Sequence, residues 1–86
     1  MAIDIDLVDG KQKERPDAVI EVEEGQTVKL TVSSDKAYEI HIHGYDKSID
    51  VPAGGEESVE FEADKTGTWE VEVEDTGFKL FDLRVT

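Results

Sequence analysis

The 86-residue chain has no cysteine, a single methionine and only two prolines. Without a thiol it can form no disulfide, no thiolate metal site and no cysteine nucleophile, and its redox compartment leaves no trace in the sequence. Positive charge is scarce: nine Lys and Arg stand against 22 Asp and Glu, for a formal net charge of −13. Apart from Lys11, Lys13 and Arg15 in KQKER, these basic residues are scattered singly among carboxylates, whereas phosphate backbones and anionic lipid surfaces bind larger clusters of Lys and Arg. Nucleic acid is thereby excluded as a partner, and so is an anionic membrane surface. Long apolar runs are missing as well, since the N-terminal MAIDIDLVDG alternates apolar and acidic residues from the start. Neither a membrane span nor a signal-peptide core is expected. Such a chain is either cytosolic or the mature part of a secreted domain. Its acidity serves solubility first, with adaptation to high salt or a cationic protein partner as further readings.

What the sequence has in abundance is period-two alternation, the pattern of strands with one buried and one wet face. Ile3, Ile5 and Leu7 alternate with Asp4 and Asp6, and Ala18, Ile20 and Val22 with Glu21 and Glu23. Further strands are read on Val28, Leu30 and Val32, on Tyr38, Ile40 and Ile42, and on the short pair Ile49 and Val51 before the turn PAGG. Val59, Phe61 and Ala63 mark a sixth strand, and Trp69, Val71 and Val73 a seventh. In the closing GFKLFDLRVT the apolar parity changes: Phe78 and Leu80 lie on one side, Phe81, Leu83 and Val85 on the other. A bulge near Leu80 reconciles them. About eight short strands with turns roughly every ten residues indicate an all-β, immunoglobulin-like Greek-key sandwich. Residues 10–17, GKQKERPD, are the one candidate for a longer loop. No linker or repeat divides the chain, so a single domain over residues 1–86 is expected, as a monomer. Trp69, Phe61 and Phe81 read as core.

The stretch HIHGYDKSIDVPAGG, the hairpin VEFEADKTGTWEVEV and the final GFKLFDLRVT together resemble the cupredoxin family of β-sandwiches, most nearly cupredoxin-like domains with a His-x-His-Gly-Tyr-Asp stretch. That resemblance implies a Greek-key sandwich, a periplasmic or extracellular setting, and a first copper-ligating histidine at His41. It also assigns the copper-binding cysteine to Val73, with no histidine or methionine in the following EDTGFKL. A type 1 copper centre needs a thiolate beside its two imidazoles, so this sequence cannot build one.

Both histidines, His41 and His43, sit two apart on the fourth strand, and the alternation that sends Ile40 and Ile42 inward sends them outward. If the cupredoxin topology holds, the fourth strand lies beside the seventh, and Glu39, His41 and His43 share an outer face with Glu70, Glu72 and Glu74. Side chains two apart on a strand leave α-carbons roughly 6.5–7 Å apart, close enough for two imidazoles to chelate one ion with a neighbouring carboxylate. The candidate ligands for copper or zinc are His41, His43, Glu39 and Glu74; the plainer reading is a solvated sheet face with no cofactor. No nucleophile motif or substrate cleft is legible, so catalysis is not expected. Three functions remain open: a non-enzymatic binding or accessory module without type 1 copper, a copper- or zinc-binding domain using the histidine pair, and an idealised or engineered β-sandwich scaffold with no selected activity.

Overall fold

The computed structural model describes residues 2–9, 11–12, 19–45 and 47–86. Ala18, Asp46 and most of the loop expected at 10–17 lie outside the described residues. Within them the chain forms strands β1 (Ala2–Val8), β2 (Lys11–Gln12), β3 (Val19–Val22), β4 (Thr27–Ser34), β5 (Tyr38–Ile42), β6 (Lys47–Val51), β7 (Gly55–Glu62), β8 (Gly67–Val73) and β9 (Phe78–Val85). No helix occurs among the described residues, hence none long and apolar enough to cross a membrane. Eight of the strands match the alternating segments. The two-residue β2 falls where only loop was expected, pairing Lys11 with Val8 and Gln12 with Leu7 antiparallel to β1.

Two sheets result, one in the order β2-β1-β4-β7 and the other in the order β3-β9-β8-β5-β6. The pairs β1–β4 and β3–β9 are parallel, which forces the chain to cross between sheets instead of meandering within one. This is the Greek-key sandwich that the turn spacing indicated. Its core is supplied by the inward parity of each strand: Val28, Leu30 and Val32 from one sheet meet Ile40, Ile42, Val71 and Val73 from the other, none more than 1% exposed. Each such aliphatic side chain contributes about 1.5–3 kcal/mol on burial. Their combined weight pins the strand register, because a one-residue slip would turn every apolar side chain to water. The same constraint fixes the outward direction of the residues between them, including His41 and His43.

The parity change in β9 is a bulge, as expected. Val71 pairs with Phe81 but Glu72 pairs with Lys79, so Leu80 is the extra residue, and Leu80 and Phe81 are consecutively buried. Lys79 and Asp82 thereby both stay on the wet face, where they form an ion pair at 3.1 Å.

One core assignment needs correction. Phe61 and Phe81 are buried, but Trp69 is only partly so, packing against the core from the end of the sandwich. Alternation reports which side of a sheet a residue occupies, not how near it lies to the end of the strand. There the Trp69 indole covers Gly44 and donates its N–H to the Lys65 carbonyl at 3.0 Å. Tyr45 lies beside it with ring centroids 6.1 Å apart and its hydroxyl 2.9 Å from the same carbonyl. This aromatic corner closes the sandwich immediately after His43.

Candidate metal centre

Strand β5 lies between β8 and β6. His41 pairs with Glu72 across β8 and with Ser48 across β6. The ladder continues at both ends, with the His43 amide donating to the Glu70 carbonyl at 2.9 Å and the Glu74 amide to the Glu39 carbonyl at 2.8 Å. Glu39, His41 and His43 therefore share the outer face with Glu70, Glu72 and Glu74, as the alternation and topology implied.

Side-chain contacts on this face run along the diagonals. The Glu72 carboxylate faces His41 in register but reaches one step along to His43, its Oε1 2.5 Å from His43 Nε2. Glu74 makes the equivalent step towards His41, its Oε2 3.7 Å from His41 Nδ1. Diagonal neighbours in an antiparallel pair are within reach of long side chains, and strand twist shortens one diagonal at the expense of the other. The two imidazoles meet edge to face with centroids 4.4 Å apart.

One donor atom each from His41, His43 and Glu72 lie within 4.8 Å of one another, forming the sole such group among the described residues. Zinc–ligand distances of about 2.0–2.2 Å require tetrahedral donors roughly 3.3 Å apart, so small side-chain rotations would close the group onto one ion. Of the four residues read from the sequence as candidate ligands, the structure brings His41 and His43 together and sets Glu74 beside His41. Glu39 stands outside the group; its amide is held by the Asp75 carboxylate at 2.8 Å. Glu72 was legible in the sequence as a member of the face, but nothing there singled it out from Glu70 and Glu74.

The electrostatics favour a cation. Hydrogen bonding to Glu72, with further attraction from Glu72, Glu70 and Glu74, raises the His43 pKa above its ordinary 6.5 against an opposing desolvation. His41 Nδ1 is shut off from solvent and has no hydrogen-bond partner, an uncommon state for a buried polar atom.

A type 1 copper centre does not fit these residues. Val73, where the resemblance assigns the thiolate, is a fully buried valine. The chain has no cysteine to replace it, and both imidazoles lie outside the sandwich.

The fold is a cupredoxin-like β-sandwich. It superposes with a TM-score of 0.75 on a copper binding protein solved in its apo form, at 12% identity over 99% of this chain and 86% of that one. Auracyanin from Roseiflexus castenholzii gives a TM-score of 0.73, at 18% identity over 99% of this chain and 96% of its own. A multicopper oxidase, mgLAC, gives 0.71 at 19% identity, this chain spanning 38% of its length. No protein-family model matches the sequence, and no curated relative does either.

Proposed function

We propose that this domain is a non-enzymatic metal-binding module that takes a divalent transition-metal ion, Zn²⁺ or Cu²⁺, on the outer face of its β5–β8 ladder through His41, His43 and Glu72. The observation that carries this reading is the convergence of two imidazoles and one carboxylate within 4.8 Å on strands whose register the core fixes. Two imidazoles with one carboxylate suit borderline ions such as zinc and copper(II), while hard ions prefer all-oxygen sites. Three protein ligands leave a coordination position for water or an exogenous group. The cupredoxin-like fold supports a periplasmic or extracellular setting.

The test is a Zn²⁺ titration followed by imidazole NMR and calorimetry in a large excess of Mg²⁺, which occupies the diffuse acidic surface without competing for nitrogen ligands. A one-to-one complex is expected with a dissociation constant on the order of 1 µM or tighter, about −8 kcal/mol. His43→Ala should abolish it. Spectra unchanged at equimolar Zn²⁺ would refute the proposal.

A further inference from the structure

We infer that Glu74 is a positioning residue for the same site: it accepts the Nδ1–H of His41, fixing the tautomer that presents Nε2 to the ion, and is not itself a ligand. The inference rests on the metal reading above and deepens it.

Two independent observations support it. His41 Nδ1 is enclosed and without a hydrogen-bond partner, although the His41 side chain as a whole is 26% exposed. Nε2 is not enclosed in this way, and it is the ring nitrogen left open to a ligand. The carboxylate that stands within ion-pair reach of the enclosed nitrogen is that of Glu74, 3.7 Å away. A normal N–H···O bond spans about 2.9 Å, so roughly 0.8 Å of movement makes it. Glu74 has room for that movement, since its own side chain is 51% exposed. Metal-ligating histidines characteristically donate their other ring N–H to a carboxylate or carbonyl, which sets ring orientation and strengthens the ligating nitrogen. Glu72 is engaged with His43, which leaves the Nδ1 role to Glu74.

In solution, neutral imidazole favours the Nε2–H tautomer, so the inference predicts an inversion at His41 that long-range ¹⁵N–¹H NMR of the metal-free protein reads directly. At a pH where the ring is neutral, wild type and Glu74→Gln should both show the Nδ1–H form, because the glutamine carbonyl still accepts. Glu74→Ala should revert to Nε2–H. Zn²⁺ affinity should fall about 10- to 100-fold in Glu74→Ala and be substantially recovered in Glu74→Gln. The glutamine variant removes the same charge, so recovery separates orientation from loss of attraction. Imidazole shifts in the zinc complex should mark Nε2 as the bound nitrogen of His41. Coordination through Nδ1, a wild-type Nε2–H tautomer, or equal losses in the two variants would each overturn the inference while leaving the metal site standing. A wild-type protein that takes up no Zn²⁺ refutes the metal reading, and the tautomer measured in that sample still decides the Glu74–His41 contact.

Discussion

Gly44 joins the histidine strand to the aromatic corner, and replacing it by alanine isolates what that junction contributes. Its backbone lies at φ +88°, a region that strains any L-residue, and an added Cβ would sit 2.5 Å from Cδ2 of Trp69, well inside van der Waals contact. Gly25 provides the control, with nearly the same φ of +91° and nothing within 4 Å of an added Cβ. Gly25→Ala should therefore report the backbone cost alone, about 1 kcal/mol once the entropy that alanine removes from the unfolded chain is subtracted from left-handed strain. Gly44→Ala carries that cost together with the displacement of a packed indole, an overpacking penalty of about 1–3 kcal/mol, for a total of about 2–4 kcal/mol. Urea unfolding of both variants gives the difference directly. Trp69 emission provides a local readout, since the lone tryptophan of the chain must swing towards water in Gly44→Ala and stay in place in Gly25→Ala. In a Trp69→Ala background the excess cost of Gly44→Ala should vanish. Equal destabilisation by the two glycine substitutions, within about 0.5 kcal/mol, would refute the argument that the indole packs on Gly44.

Two further outcomes follow from the imidazole face. His43, raised above its ordinary pKa chiefly by hydrogen bonding to Glu72, contributes stability that is fully present below the unfolded pKa of about 6.5 and is lost as pH rises through the folded value. NMR titration should place His43 above 6.5 in wild type and lower in Glu72→Gln, whereas a wild-type value at or below about 6.5 would remove the ion pair from the account. Cu²⁺ added to the protein should give no intense blue thiolate-to-copper band, because the chain has no cysteine to supply a thiolate; such a band would contradict the assignment of nitrogen and oxygen donors.

Much of this molecule was written in its alternation. Period two placed the strands, sent Ile40, Ile42, Val71 and Val73 inward, turned His41 and His43 outward, and located the bulge at Leu80 from the doubled apolar parity of β9. The absence of cysteine ruled out type 1 copper chemistry without reference to any coordinate. These features are local, because side-chain direction on a strand follows from neighbours one and two residues away. Tertiary structure decided what local pattern cannot encode: which strands become neighbours after the chain crosses between sheets, and which side chains then touch. The β5–β8 pairing brought distant glutamates to the imidazoles, and the diagonal reach across a twisted ladder gave Glu72 to His43 and Glu74 to His41, with Glu39 left outside. The same three-dimensional placement put Trp69 at the end of the sandwich over Gly44 instead of deep in the core, since depth along a strand depends on where the opposing sheet stops.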